Sequence, residues 1–270
     1  MRIATWNVNS VRLRLPLVAR LAREFGPDVI CLQETKVVDD SFPRKDIESL
    51  GYRHIAVRGM KGYNGVAILS RLPLEPMDGK QFCGRDDCRH IAVRIEGIDL
   101  HCLYIPAGGD VPDPTENDKF AHKLEFLDEL ALWSQALRRQ GRPVAVVGDF
   151  NVAPLETDVW SHRQLLTVVS HTPIEVEKIT RAQQEGGWVD AVRHFVPPAE
   201  KLYSWWSYRA RDWAASDRGR RLDHIWVSPD LAPRLTRAAV IREARGWERP
   251  SDHVPVVADL DKSQNDLKIV

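Results

Sequence analysis

Residues 2–34, RIATWNVNSVRLRLPLVARLAREFGPDVICLQE, decide the fold. Residues 2–5 read as a short strand. Val11, Leu15, Val18, Leu21 or Ala22, and Phe25 then recur at three- and four-residue steps, the period of one helix face, until Gly26-Pro27 ends the pattern. Residues 28–32 form an apolar run of the kind covered on both faces, and it stops at Gln33-Glu34. Strands joined by such a helix normally lie parallel in one sheet, so their carboxyl ends share an edge and Asn7 and Glu34 fall on the same rim. Ligands of open α/β sheets bind at such rims.

Further along, residues 65–69 read as a buried strand, and 91–95 with 98–104 as a hairpin about Glu96-Gly97. A loop rich in Pro, Gly and Asp over 106–115 leads into a long amphipathic helix at about 118–139, closed by Gly141 and Pro143. Residues 144–147 are another buried strand, opening into Gly148-Asp149-Phe150-Asn151. The stretch to about 196 is helical and loop-rich, and strands return at 203–207, 222–227, 238–241 and 254–260. Strands and helices mix throughout with no low-complexity linker, which predicts an α/β protein with a single domain over 1–262 and a polar tail over 263–270. Asn7-Val8-Asn9 and Asp149-Phe150-Asn151 both follow buried strands, as two similar halves related by an internal two-fold would have it.

The chain has 270 residues, with 38 Lys and Arg against 38 Asp and Glu, so no global positive field draws it to a polyanion; any nucleic-acid surface must be local. No apolar run approaches the ~20 residues of a membrane span, and the opening residues turn polar too soon for a signal peptide. The expectation is a cytoplasmic protein without membrane association. Four cysteines are too few for a disulfide framework in a chain of this size. Cys83 and Cys88 with His90 nearby hint at a metal, but two cysteines do not complete a zinc tetrahedron.

Five segments end or interrupt strands with acids, amides or His: Asn7, Gln33-Glu34, Asp149-Phe150-Asn151, Asp223-His224 and Ser251-Asp252-His253. Each alone is an ordinary turn or cap. If the rims converge, Glu34, Asp149, Asp223 and Asp252 come close together, and either their pKa values rise steeply or a cation neutralises them. Hard oxygen ligands without Cys select Mg²⁺, with Mn²⁺ as substitute, over zinc. Such a site beside a His suits attack on a phosphate ester.

Residues 201–221 hold six bases (Lys201, Arg209, Arg211, Arg218, Arg220, Arg221) and two acids (Asp212, Asp217), a net +4, together with Tyr203, Trp205, Trp206, Tyr208 and Trp213. Interleaved bases and aromatics suit phosphate contacts plus stacking or insertion at a distorted base step. The alternative is that Trp205 and Trp206 alternate on a strand, one facing the core, with the arginines simply solvated.

The ordered set Thr5-Trp6-Asn7-Val8-Asn9-Ser10-Val11-Arg12, Leu32-Gln33-Glu34-Thr35-Lys36, Tyr63-Asn64-Gly65-Val66-Ala67-Ile68, Tyr104-Ile105-Pro106, Gly148-Asp149-Phe150-Asn151, Arg218-Gly219-Arg220-Arg221-Leu222-Asp223 and Pro250-Ser251-Asp252-His253 resembles, over nearly the whole chain, the exonuclease III family of abasic-site endonucleases in the endonuclease/exonuclease/phosphatase superfamily. The resemblance implies a DNase I-like four-layer αββα sandwich of two packed mixed β-sheets with helices outside. It implies a Mg²⁺-dependent enzyme, a monomer, that cuts duplex DNA 5′ to abasic sites, digests it from 3′ ends and removes 3′-blocking groups. Glu34 would be the main metal ligand, with Asn7 beside it and Asp252 as a second ligand. Asp149 would orient or deprotonate the attacking water, and Asn151 would hold that water or a phosphate oxygen. His253, bonded to Asp223, would face the scissile phosphate, and Tyr104 would contact the phosphate or assist the leaving oxygen. Lys36 would add positive charge there or is a solvated lysine. DNA contacts would come from Arg12, Trp205, Trp206, Tyr208, Arg209, Arg220 and Leu222, with Trp205 and the Leu222 region lining a pocket for an extruded abasic sugar and Arg209 where relatives insert a wedge. An abasic nucleotide lacks base stacking, so its extrusion costs less than that of an intact one.

Two positions depart from the family pattern. Ala107 stands after the Tyr-x-Pro proline where relatives often carry Asn or Gln, and Asp217 stands where they carry a neutral amide. Both bear on substrate grip rather than on the reaction. The same metal and His chemistry also serves phosphodiesterases acting on lipid, inositol phosphate or RNA, and a DNA-binding scaffold without catalysis is a reading from another class. The basic aromatic segment argues against the former, the unaltered catalytic positions against the latter.

Overall fold

The computed structural model describes residues 1–261, and in it the opening unit forms as the periodicity predicts. Strand β1 (Arg2–Asn7) leads through helix α1 (Val11–Glu24) to β2 (Val29–Gln33), and the strands pair in parallel with Asn7 opposite Gln33. After α2 (Arg44–Ser49) come β3 (His54–Arg58) and β4 (Val66–Ser70), antiparallel to each other, with β4 beside β2. Then β5 (Glu75–Met77), β6 (His90–Ile95) and β7 (Ile98–Tyr104) form a meander, and α3 (Asp118–Arg139) crosses from β7 to a parallel β8 (Val144–Asp149). The rest of the chain supplies α4 (His162–Leu165), α5 (Pro173–Gly186), β9 (Val189–Asp190), β10 (Trp205–Trp206), α6 (Trp213–Ser216), β11 (Gly219–Arg220), β12 (Asp223–Val227), β13 (Leu235–Val240) and β14 (Val256–Leu260). Two six-stranded mixed sheets result, ordered β13-β14-β1-β2-β4-β3 and β5-β6-β7-β8-β12-β9, with β10 and β11 paired apart from both.

Side-chain alternation turns these sheets into layers. Ile3, Val29, Cys31, Ile68, Leu100, Cys102, Val147, Ile225 and Val256 point between the sheets into one buried cluster. The alternate residues Ala4, Trp6, Ile30, Leu32 and Leu69 pack outward on Val18 and Leu21 of α1. On the other side Leu103, Val144 and Val146 meet Leu127 and Leu130 of α3 and Ile179 of α5. Burying such an aliphatic side chain contributes about 1.5–3 kcal/mol each, and the outcome is the four-layer αββα sandwich expected.

The parity also places chemistry. Asn7, Gln33, Tyr104, Asp149 and Asp223 continue the inward ladders beyond the last apolar residue, so they cap the space between the sheets. The expected two-fold is visible in the pairing: each sheet holds one parallel strand pair with antiparallel neighbours on both sides. Followed along the chain, however, β1 corresponds to β7 and β2 to β8. Asn7 therefore matches Tyr104 rather than Asp149, and the likeness of Asn7-Val8-Asn9 to Asp149-Phe150-Asn151 is not the repeat.

Several elements differ from the sequence reading. The edge strands β3, β5 and β9 and the short α2 went unpredicted, because edge strands lack the continuous apolar run of a strand covered on both faces. The strand expected over 203–207 shrinks to Trp205–Trp206, while β13 begins three residues before the predicted 238. Cys83 lies with Glu125 and Glu129 rather than with His90, whose ring is stacked on His101. The predicted tail over 263–270 lies outside the described residues. None of the described helices is long and apolar enough to cross a membrane.

Arg221, counted above with the bases of the 201–221 segment, is buried. It clasps Asp158 through Nε and Nη2 (2.8 and 2.9 Å) and reaches Asp190 through Nη1 at 2.6 Å, tying the segment after β8 to β9 and the start of β12. Burial alone would raise both carboxyls, but the guanidinium outweighs it and holds them below their ordinary range. Replacing Arg221 by Met leaves two buried carboxylates short of a partner and is expected to cost about 3–5 kcal/mol in denaturant unfolding. In the wild-type chain the stability contributed by these carboxyls is complete above about pH 4, the unfolded value, and is lost as pH falls through their lower folded values. Acid unfolding of Arg221→Met should accordingly show a shallower pH dependence below pH 4.

Candidate active site

The polar cap between the sheets is knit by bonds that cross from one sheet to the other. Asn7, at the end of β1, donates both amide hydrogens, to Glu34 Oε1 and to Asp149 Oδ2, each at 2.9 Å. Tyr104, at the end of β7, donates its hydroxyl to Glu34 Oε1 at 2.9 Å. His253, in the loop entering β14, sets Nδ1 2.9 Å from Asp223 Oδ2 and Nε2 3.6 Å from Asp149 Oδ2.

Local backbone conformation makes this convergence possible. Glu34 and Asn151 follow their strands with φ of 52° and 54°, left-handed values that cost a non-glycine residue roughly 1–3 kcal/mol and turn the chain sharply at the rim. Gly148 precedes Asp149 because β7 passes so close that a Cβ there would lie 1.9 Å from the Leu103 carbonyl oxygen. Asn151 then folds back, giving its backbone N–H to Asp149 Oδ1 at 2.9 Å and its amide to Asp149 Oδ2 and the Ile105 carbonyl (3.1 and 2.9 Å).

These contacts set the charges. Burial, abetted by Asp223 and Glu34, outweighs His253 and Asn7 and pushes Asp149 up to about 7. Burial opposes a charged imidazole at His253, but Asp223 and Asp149 outweigh it, and the ring is pushed up to about 10. Burial likewise would raise Glu34, yet the Asn7 amide and Lys36 prevail and hold it below its ordinary range. Burial beside Glu34 and Asp149 drives Tyr104 well above its usual value, so it stays a neutral donor. Lys36 Nζ sits on Glu34 Oε2 at 2.7 Å, a cation already placed at the outermost carboxylate oxygen.

The oxygen-rich donor set fits a hard cation. Asp149, Asp223 and His253 offer ligand atoms within 4.8 Å of one another, an acidic cluster able to bind a metal. Glu34, Asp149 and Asp252 line the same cleft, of about 530 Å³, while Asp223 lies behind His253. Asp252 Oδ2 accepts from Trp205 Nε1 at 3.0 Å.

One end of the cleft is walled by Trp160, Val168, Trp205 and Leu222, with Arg209, Arg218 and Arg220 along it. Arg220 lies over the Trp205 ring at 5.1 Å and donates to the Val169 carbonyl and Ser170 Oγ, so it is held rather than solvated. Trp206, named above with the DNA-contacting residues, is a core residue instead, 1% exposed, its indole donating to Asp217. Strand alternation in β10 sends Trp205 to the cleft and Trp206 inward. Tyr208 is 46% exposed, its hydroxyl donating to the Pro250 carbonyl, and Arg12 is exposed on α1; neither lines the cleft. Asp217 pairs with Arg242 at 2.9 Å away from the cleft, whereas Ala107 does line it. Ser204, which donates to Asp223 Oδ2 at 2.7 Å, and Trp160 escaped the sequence reading, since a serine before a short strand and a tryptophan in a loop carry no local mark.

Comparison with known proteins places this geometry. The chain is 29% identical over 271 residues to exodeoxyribonuclease III of Haemophilus influenzae, covering 96% of this chain and 100% of that protein. A solved AP endonuclease of Archaeoglobus fulgidus superposes with a TM-score of 0.89 at 35% identity, over 97% of this chain and 100% of the other. A 3′ phosphatase from Neisseria bound to a product DNA hairpin gives 0.87 at 32% identity, over 97% and 100%. The model of the Endonuclease/Exonuclease/phosphatase family matches residues 4–253, and the chain belongs to that family.

Proposed function

We propose that the chain is a Mg²⁺-dependent DNA repair phosphodiesterase that cleaves 5′ to abasic sites, removes nucleotides from 3′ ends of duplex DNA and clears 3′-blocking groups. The observation that carries this reading is the single amide of Asn7 holding Glu34 and Asp149 together beside the His253–Asp223 pair. Relatives that are an exodeoxyribonuclease III, an AP endonuclease and a DNA-bound 3′ phosphatase support it. We place the enzyme in the cytoplasm as a monomer acting on DNA, with one catalytic domain.

The roles follow from the charges. Glu34, ionised and held by Asn7, would hold the cation with Asp252 as a further oxygen donor; the bound ion would neutralise the phosphate and lower the pKa of water. Asp149, pushed up to about 7, is suited to take a proton from water near neutral pH, and Asn151 keeps its carboxylate oriented. The water oxygen bonds to phosphorus as its proton passes to Asp149, and the bond from phosphorus to O3′ breaks with its electron pair on O3′, which takes up a proton from solvent to leave as the 3′-hydroxyl. His253 stays protonated against Asp223 and binds a phosphate oxygen as a cation. Tyr104, a neutral donor at the same rim, is placed to contact the phosphate or assist the departing oxygen. The wall of Trp160, Trp205 and Leu222 takes a bare sugar and excludes a base, with Arg209 and Arg220 on the flanking backbone; Arg12 and Tyr208 would contact DNA outside the cleft.

An oligonucleotide duplex with one abasic analogue tests the reading: incision should require Mg²⁺, vanish in EDTA and fall about 10²–10⁴-fold in Asp149→Asn. Incision by the wild-type chain no faster than by the variant would end it. Glu34→Gln should raise the Mg²⁺ concentration for half-maximal rate, and an unchanged metal dependence would remove Glu34 as ligand. Trp205→Ala should erode discrimination between abasic and intact duplex while sparing 3′-phosphate removal from a nicked duplex.

A further inference from the structure

Lys123 and Glu175 form an ion pair at 2.5 Å in which both side chains are wholly buried. Lys123, on the second turn of α3, also donates from Nζ to the carbonyl of Asn151 at 2.8 Å and of Ala107 at 3.3 Å. Glu175, in the first turn of α5, accepts from the backbone N–H groups of Ser170 and Thr172 and from the Thr172 hydroxyl. One charge pair thus holds the loop after β7, the loop after β8 and the segment before α5. Ala107, Asn151 and Ser170, one from each, line the cleft.

A buried ion pair is a poor source of stability, because desolvating both charges offsets most of their attraction and apolar residues of the same volume often serve as well. Neither side chain lines the cleft, so neither touches substrate. What the pair does supply is direction. Asn151 needs a left-handed backbone, φ 54°, to bring both its N–H and its amide onto Asp149, and its carbonyl must then face inward, where only a buried donor satisfies it. Lys123 is that donor, and Glu175 is the counter-charge that keeps it there.

We infer that Lys123 and Glu175 are positioning residues which set Asn151, and through it the Asp149 carboxylate, for the attack on phosphate. The inference rests on the phosphodiesterase reading for its kinetic readout. It accounts for a fully buried lysine that would otherwise stabilise little, and it separates the two sides of the site: Glu34 and Lys36 have no bond to this pair, so it does not directly reach a metal held by Glu34 and Asp252.

The test is the double replacement Lys123→Met with Glu175→Leu, which removes both charges at similar volume, assayed on the abasic duplex. Expected are a kcat at least tenfold below wild type, an unchanged Mg²⁺ midpoint and a smaller change in KM for DNA, since Glu175 also holds Ser170, an acceptor for Arg220. In an Asn151→Ala background the same double replacement should lower kcat by a smaller factor than in the wild-type background, since Asn151→Ala has already removed the amide that the pair directs and leaves only the backbone N–H on Asp149. Wild-type kcat in the double variant, a loss carried by KM, or full additivity with Asn151→Ala overturns the inference. Absence of incision by the unaltered chain would instead strike the proposed function, and hydrogen exchange then decides for the pair. The Asn151 amide should exchange at least tenfold faster in the double variant while Val146 within β8 keeps its protection. Unchanged protection at Asn151 means that the pair does not hold it, loss of protection throughout makes the pair a requirement for folding alone, and either overturns the inference.

Discussion

Two hydrogens on one amide bring the halves of this protein to a common purpose. Asn7 belongs to one sheet and Asp149 to the other, and the nitrogen that donates to Asp149 donates also to Glu34. Without a neutral double donor between them, two neighbouring carboxylates repel, and a cation or protonation has to make up the difference. Tyr104 on Glu34 and His253 on Asp223 repeat the bridging between sheets, so the top of the inter-sheet space is closed by polar bonds where the rest of it is closed by apolar packing.

That arrangement explains why the charges differ among chemically similar groups. Glu34 keeps its charge because it faces Lys36 and the Asn7 amide at the outer rim. Asp149 is deeper and shares its surroundings with Asp223, so it is raised; His253 lies between those two aspartates and is raised in turn. A raised carboxyl, a protonated imidazole and an ionised carboxylate arise from depth and neighbours, not from residue type.

The 201–221 segment is more constrained than its composition indicates. Of its bases, Arg221 is sealed between Asp158 and Asp190 and Arg220 is pinned by Val169 and Ser170, while Arg209 and Arg218 line the cleft. The positive surface is therefore smaller than a net charge of +4, and it lies beside the aromatic wall. The departure at Asp217 is absorbed by Arg242 and Trp206, away from the cleft, whereas Ala107 leaves a small side chain on the cleft wall.

Local patterning alone determined the two strand–helix–strand units, the 22-residue α3 and the rim positions of Asn7, Glu34 and Asp149, because helix period, apolar runs and Gly or Pro stops are short-range properties of the chain. The family motifs carried the site residues further, to His253, Asp223 and Tyr104. What the tertiary structure decided is everything that depends on a partner far away in sequence. Trp206 is core and Trp205 is cleft because one strand register chose their faces; Arg221 is buried because Asp158 and Asp190 meet there; edge strands β3, β5 and β9 exist because a sheet already present accepts them. Lys123, Glu175 and Ser204 join the site through bonds to residues 19 to 52 positions away, and no local period records such a bond.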